Sequence, residues 1–191
     1  MSKRLVLIAA AAALALTAAA AAAPLSAAMS EKTVSVGGAP MYPSKNIIQN
    51  AVNSKDHTTL VAAVKAAGLV DTLEGPGPFT VFAPTNEAFA RLPAGTVDNL
   101  LKPENKATLV KVLTYHVVAG RMTAGSLMKA VKEGEGSATL KTIAGEDLLV
   151  KEAGPGKLTI TDSKGDVAMV TIPDVLQSNG VIHVIDTVLL P

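Results

Sequence analysis

The chain has 191 residues, with 17 basic and 16 acidic side chains, 49% hydrophobic residues, and no cysteine or tryptophan. This near-neutral charge gives no electrostatic footprint for nucleic acid or anionic membranes. The lack of cysteine excludes disulfides and a lipid-modified lipoprotein leader. The length suits about one domain, stabilised by its hydrophobic core.

The N-terminus has the pattern of a secretory signal peptide. Lys3 and Arg4 precede an alanine-rich apolar run over residues 5–23, and residues 26–28 offer the small side chains that a signal peptidase reads. We predict a signal peptide over 1–28, cleaved after Ala28, and a secreted or periplasmic mature chain. An uncleaved membrane anchor is the alternative, although alanine contributes little to membrane insertion. The mature chain has 163 residues and a formal charge of −1, because 15 basic residues face 16 acidic ones.

The first half of the mature chain is predicted to be mainly helical. Residues 29–42 form an irregular lead-in to a domain over 43–190. Helices are predicted over 46–54 and 56–68, the second with Asp56 as N-cap and Gly68 at its left-handed end. A turn over 75–78 leads to a strand over 79–83, which Pro84 ends.

Four more helices are predicted before the pattern changes. Thr85 caps a helix over 86–92, and further helices cover 95–101, 103–117 and 123–131. In the helix over 103–117, His116 shares the apolar face of Leu109, Val112 and Leu113. This register predicts a packed His116, hydrogen-bonded at the helix end, and places Tyr115 on the surface.

After Ser137 the hydrophobic period becomes two. Strands are predicted over 138–142, 147–152, 157–161, 167–171 and 181–190, and the earlier strand over 79–83 must join their sheet. The order of helices first and strands later predicts an α+β fold.

Motifs of common enzymes and metal sites do not occur. There is no G-x-S-x-G elbow and no phosphate-binding G-x-x-x-x-G-K-[ST] loop. Residues 161–167 resemble a calcium loop only loosely, and a hairpin turn with Gly165 at positive φ explains them better. His57, His116 and His183 lack metal-ligand spacing, and His183 lies in an apolar strand where a buried, hydrogen-bonded neutral imidazole is expected. We predict no metal and no cofactor.

A hydrolase assembled by folding is a third hypothesis beside the two given below. Serines such as Ser126 and Ser178 could meet a histidine and an aspartate in space, because a triad need not be close in sequence. Nothing in the sequence marks any of these side chains as activated. We therefore predict that the chain is not an enzyme.

Two sequence blocks resemble those of the fasciclin-like domain family. They are "FTVFAPTNEAFARLP" over 79–93 and "NGVIHVIDTVLLP" over 179–191, and between them lie Tyr115-His116 and "IPDVLQSNG" over 172–180. The resemblance runs from about Pro43 to Leu190. It implies a β-wedge, or sandwich-like sheet, with an N-terminal helical bundle packed against it. The signature positions, expected to be structural, are Thr80, Phe82, Pro84, Thr85, Asn86, Phe89, Asn179, Gly180, His183 and Asp186.

The resemblance also implies a function. Family members are mostly extracellular adhesion or matrix proteins without catalytic activity, so we expect a small secreted bacterial adhesion or interaction module that binds a protein or an envelope or matrix component. In animal matrix members the regions matching Tyr115, His116 and Asp174 are linked to receptor contact. Here Ile172 precedes Pro173, where matrix members often have an acidic residue, so these three positions are a candidate interaction surface only.

The alternative function is a carrier of an apolar small molecule. Some secreted fasciclin proteins bind pigments such as carotenoids. Met122, Met128 and Met169 are adaptable side chains that could line a cleft between helices and sheet. Ordinary core packing is the other explanation of these methionines.

Overall fold

The computed structural model describes residues 33–191, so the predicted signal peptide lies outside the described residues. Nine strands and seven helices follow one another along this part of the chain. The strands are β1 Val34–Val36, β2 Ala39–Met41, β3 Phe79–Pro84, β4 Val117–Ala119, β5 Ser137–Lys141, β6 Asp147–Glu152, β7 Leu158–Thr161, β8 Val167–Gln177 and β9 Gly180–Ile185. The helices are α1 Ile47–Ala51, α2 Thr58–Ala67, α3 Val70–Glu74, α4 Asn86–Ala90, α5 Thr96–Leu100, α6 Lys106–Tyr115 and α7 Ala124–Glu133.

The prediction of an irregular lead-in is wrong for residues 34–41, which form a β-hairpin. Strands β1 and β2 pair antiparallel around Gly37 and Gly38, whose φ values are +59° and +74°. Two left-handed residues make the tight turn that suits the twist of paired strands, and glycine adopts this conformation without strain. The hairpin contributes Val36 and Met41 to the hydrophobic core.

The helix ends follow local capping chemistry, with one difference from the prediction. Asn46 and Gln49 form a capping box at α1, Thr85 accepts from Ala88 N at α4, and Gly68 ends α2 in the left-handed conformation. These side chains satisfy backbone groups that a helix end leaves free. Asp56 is not the N-cap of α2, because a 3₁₀ turn over Lys55–His57 precedes that helix.

Seven strands form one sheet in the order β4-β3-β9-β8-β7-β6-β5. Strand β3 joins the later strands, as predicted, and pairs in parallel with β9, whereas the other neighbours are antiparallel. A bridge between Val118 and Thr142 links the two ends of the sheet, which is therefore nearly closed. The α+β prediction is confirmed. Strand β9 ends at Ile185, earlier than predicted.

Two hydrophobic cores lie on the two sides of β9. The first is shared by the helices α1 to α4 and α6 with the sheet, and the second is filled by strands β5 to β8 and α7. Along β9, Ile182 and Val184 belong to the first core and Ile185 to the second. Alternate side chains of a strand point to opposite faces, so every residue of β9 is buried. No helix within residues 33–191 is long and apolar enough to cross a membrane.

Candidate functional site

His116 joins the end of α6 to the C-terminal segment of the chain. It is buried and caps α6, and its Nδ1 donates to the carbonyl of Val112 at 2.8 Å. Its Nε2 accepts from the backbone N–H of Leu189 at 3.0 Å. Removal from water lowers the His116 pKa to about 4, against smaller raising effects of the Val112 carbonyl and the Asp162 charge. The packed and hydrogen-bonded His116 that the helical register indicates is confirmed.

Tyr115 does not lie on the surface, and that prediction is wrong. Its side chain is 0% exposed and belongs to the second core. The hydroxyl donates to the carbonyl of Asp147 at 3.1 Å and accepts from the N–H of Ser163 at 2.9 Å. Burial raises the pKa of this phenol. Tyr115 therefore ties α6 to strand β6 and to the turn after β7.

Replacing Tyr115 by phenylalanine is expected to destabilise the domain by about 1–3 kcal/mol, because the carbonyl of Asp147 and the N–H of Ser163 lose a buried partner. Tyr42 is the matched control: it is the other of the two tyrosines, and its half-buried ring lies under the Lys45 ammonium. Urea unfolding of Tyr115→Phe and Tyr42→Phe measures both effects. Equal stabilities of the two variants would contradict the role of the Tyr115 hydroxyl.

His183 fixes the loop that leads into α7. In this fully buried side chain, Nε2 donates to the carbonyl of Met122 at 2.8 Å and Nδ1 accepts from the N–H of Asp174 at 3.3 Å. The imidazole stacks on Phe82, with ring centres 5.7 Å apart. Burial lowers its pKa. The expectation of a buried, hydrogen-bonded neutral histidine is confirmed.

Asp174 lies within an irregular stretch of β8 and remains partly exposed. Its φ is +56°, and the pairing of β8 with β9 shifts register on either side of Ile172. One carboxylate oxygen accepts from the N–H of Ala124, the first residue of α7, at 2.7 Å. The three candidate interaction residues therefore share no hydrogen bond, and Asp174 is the one that reaches the surface.

Four polar signature side chains, those of Thr80, Asn86, Asn179 and Asp186, contact backbone from other segments. Thr80 donates to the carbonyl of Gly120 and accepts from the N–H of Met122, at 2.7 and 2.9 Å. Asn86 accepts from the N–H of Thr59 and donates to the carbonyl of Lys55.

Asn179, directly before β9, accepts from the N–H of Ile47 and donates to the carbonyls of Leu73 and Gly75. Asp186 accepts from the N–H of Met169. Pro84 and Phe89 are buried. These contacts join segments that lie far apart in the sequence.

Sequence reasoning did not find the buried polar side chains of Asp162, Asn50 and Gln177. Asp162 accepts from the N–H groups of Lys164, Asp166 and Leu190, which closes the β7–β8 turn over the C-terminal segment. Asn50 and Gln177 are both buried and hydrogen-bonded to each other. An aspartate before a glycine turn is a known signal for local backbone hydrogen bonds, but its bond to Leu190 is a product of the fold.

A serine–histidine pair lies in the first core. Ser54 Oγ and His57 Nδ1 are 2.8 Å apart, and both residues are 3% exposed. Burial lowers the His57 pKa, against smaller raising effects of the Ala83 carbonyl and the Asp56 charge. Within the described part of the chain no acidic group hydrogen-bonds to this ring, and Ser126 pairs instead with Thr123. Residues 33–191 contain no group of three metal-binding side chains.

An apolar cavity of about 40 Å³ lies between the helices and the sheet. His57 and His116 are among its walls, together with Met41. The prediction that Met122, Met128 and Met169 together line a cleft between helices and sheet is wrong. Met122 and Met128 pack against the second core, and Met169 is exposed.

In this α+β domain, the buried polar side chains mainly hydrogen-bond to backbone groups and so have a structural role. Residues 55–191 match the Fasciclin domain family model, and the chain belongs to this family. It is 49% identical over 164 residues to protein sll1483 of Synechocystis sp., which covers 85% of this chain and 82% of that protein.

Other similarities agree with this assignment. The transforming growth factor-beta-induced protein ig-h3 of Sus scrofa is 39% identical over 132 residues, which are 69% of this chain and 17% of that protein. The solved FAS1 domain pair of the insect cell adhesion molecule Fasciclin I has the same fold, with a TM-score of 0.70. That match has 23% identity and covers 78% of this chain and 52% of that one.

Proposed function

We propose that this chain is an exported, non-enzymatic adhesion or interaction module that binds a protein or another component of the cell envelope or matrix. The observation that carries the proposal is the Fasciclin domain over residues 55–191. The fold is that of an insect cell adhesion molecule, and the sequence begins with the pattern of a signal peptide.

The geometry of the polar side chains supports a non-enzymatic role. Both ring nitrogens of His116 and of His183 bind backbone groups, so neither imidazole is free to take a proton from a substrate. Ser54 and His57 are within hydrogen-bond distance, but both are enclosed in the first core. A nucleophile needs access to its substrate, and this buried pair has none.

We place the interaction surface at the exposed side of β8 beside Asp174. Asp174 is the candidate residue that remains accessible, and Met169, Thr171 and Pro173 of the same strand are exposed. A shallow groove of about 330 Å³ runs along Met169, Thr171 and Pro173, next to Asp174 in the sequence, to Lys157 and the start of α7. An exposed methionine and proline beside a carboxylate and an ammonium offer both apolar and charged contacts to a partner.

A charge placed in this groove is expected to weaken attachment. We expect Met169→Lys to reduce binding of the purified mature protein to envelope fragments of the source organism by about tenfold or more, the effect of losing one well-packed contact. Val52→Lys is the matched control, because Val52 is 48% exposed and Met169 is 40% exposed. Binding is measured by sedimentation with the fragments. If wild type does not bind the fragments, or if Met169→Lys and Val52→Lys bind them equally well, this surface is rejected.

Carriage of a lipid or carotenoid-like pigment is a second proposal, favoured by the apolar cavity between helices and sheet. A volume of about 40 Å³ is far below the 300–1,000 Å³ or so of sites for larger ligands, so a pigment requires the helices to move away from the sheet. Mass spectrometry of an organic extract of the natively purified protein tests it. An extract without any lipid or pigment stoichiometric with the protein would reject this function.

A further inference from the structure

Met169 projects from the outer side of β8 at the groove of the proposed interaction surface. It is 40% exposed, whereas its neighbours Ala168 and Val170 are buried. This alternation follows from the strand, because successive side chains of a strand point to opposite faces. Met169 lines the groove together with Thr171 and Pro173. A small reactant in solution therefore reaches the Met169 side chain.

The other methionines of residues 33–191 are better protected. Met41 is 3% exposed and belongs to the first core. Met122 and Met128 are half-buried and pack against the second core. An oxidant must touch the sulfur of a methionine to react with it, so exposure decides which methionine reacts first. Met169 is the exposed member of this set, and oxidation is expected to begin there.

The backbone of Met169 is fixed by contacts that do not involve its sulfur. The Met169 N–H donates to the Asp186 carboxylate at 2.8 Å, and the Met169 carbonyl accepts from the Asp186 N–H at 3.2 Å. On the other side of β8, Met169 pairs with Thr159 of β7. A chemical change at the sulfur leaves these contacts in place. Oxidation of Met169 is therefore expected to alter the surface and to preserve the fold.

We propose that Met169 is a site of reversible oxidation by a peroxide, and that its oxidation weakens binding at the groove on β8; this second part rests on the proposed function. A lone pair of the Met169 sulfur attacks one oxygen of hydrogen peroxide, so that an S–O bond forms and the O–O bond breaks. The other oxygen leaves as water with the proton of the attacked oxygen. Sulfur loses two electrons, which the peroxide gains.

The product changes the chemistry of the groove. A thioether is flexible and apolar, whereas a sulfoxide is polar and accepts hydrogen bonds, so an apolar contact with a partner is lost. A methionine sulfoxide reductase reverses the step: two thiols are oxidised to a disulfide, and the sulfoxide oxygen leaves as water. The groove therefore has an unoxidised, binding state and an oxidised, weakly binding state.

The site itself is tested by oxidation rates. The purified mature protein is treated with hydrogen peroxide, and each methionine is followed by mass spectrometry of its peptide. We expect Met169 to react about fivefold or more faster than Met122 and Met128, and Met41 to react slowest, in the order of their exposure. In protein unfolded by urea the four rates should be similar, because the fold then protects none of them. Native Met122 or Met128 reacting as fast as Met169 would overturn the site.

The effect on binding is tested by sedimentation with envelope fragments of the source organism. Oxidation of Met169 should weaken binding by about fivefold, the effect of losing roughly 1 kcal/mol of apolar contact, and reductase treatment should restore it. Met169→Leu has no sulfur at this position, so peroxide should leave its binding at the untreated value.

Two binding results would overturn the control by oxidation, and they differ in what they say of the surface. If the Met169 sulfoxide binds as well as untreated protein while Met169→Lys binds weakly, the interaction surface stands and its control by oxidation is wrong. If untreated wild type does not bind the fragments, the proposed function fails and the control of binding fails with it, whereas the oxidation rates still decide the site.

Discussion

Replacing Gly180 by alanine is expected to destabilise the domain by about 3 kcal/mol or more, the upper end of the usual cost of overpacking a core. A Cβ at this position lies 2.2 Å from the carbonyl oxygen of Phe79 and 3.0 Å from its carbon. Both are backbone atoms of β3, which pairs with β9 in parallel from Phe79↔Gly180 onward. Relief of the clash requires β3 and β9 to separate, which disturbs both cores.

Gly125→Ala is the control for the change of residue type. Gly125 lies in the first turn of α7, and the nearest atom to an added Cβ is the Thr123 hydroxyl oxygen at 3.9 Å, an ordinary contact. Alanine has the higher helix propensity, so the free energy of unfolding of this variant is expected to equal that of wild type within about 0.5 kcal/mol or to be slightly higher. Urea titrations followed by circular dichroism measure both. A Gly180→Ala variant as stable as Gly125→Ala would contradict the close approach of β3 and β9.

The sequence was sufficient for elements whose signal is local or strongly periodic. Strand β9 was predicted from an unbroken apolar run, and burial on both faces is the reason for that run. Thr85 and Gly68 were predicted as helix ends because capping depends on neighbours within one turn. The Gly37-Gly38 pair is a turn signal for the hairpin over 34–41. Its strands have three residues each, which is too short for an alternating hydrophobic pattern to show in the sequence.

Tyr115 shows why the helical register failed at one position. The register assumes a helix with one buried face and one solvated face. The last turn of α6 instead lies between the two cores, with Leu113 in the first and Tyr115 in the second. The segments that cover Tyr115, around Asp147 and Ser163, follow it by 32 and 48 residues. No local pattern reports such a contact.

For the polar residues of the site, burial could be predicted from the sequence and the hydrogen-bond partners could not. The burial of His116 and His183 followed from apolar neighbours in the sequence, whereas their partners did not. Leu189 is 73 residues from His116, and Met122 is 61 residues from His183. A side chain that bonds to backbone places no demand on the identity of its partner residue. Such pairs therefore leave no sequence signature on the partner side.

Acidification is expected to destabilise the domain through His116, because the native contacts require a neutral imidazole. Nδ1 donates to Val112 and Nε2 accepts from the N–H of Leu189, so a proton on Nε2 sets two donors against each other. The pKa is 6.5 in the unfolded chain and about 4 in the folded protein. The unfolded state therefore binds the proton first as pH falls.

The sign of this linkage defines the pH window. The contribution of neutral His116 is fully present above pH 6.5, is lost progressively as the pH falls from 6.5 to about 4, and changes no further below that. The total loss is about 3 kcal/mol. Burial also lowers the pKa of His57 and of His183, so both histidines act in the same direction.

The variant His116→Gln isolates this effect from the other titrating groups. Glutamine has a donor and an acceptor but does not titrate, so at pH 7 we expect a loss of about 1–3 kcal/mol from imperfect hydrogen bonds. Carboxylates titrate alike in both proteins, so the difference in unfolding free energy between wild type and variant, measured in urea at pH 7, 5.5 and 4.5, reports on His116. This difference should shrink as the pH falls, because wild type loses stability that the variant does not. A difference that stays constant from pH 7 to 4.5 would show that the imidazole is not held neutral by Val112 and Leu189.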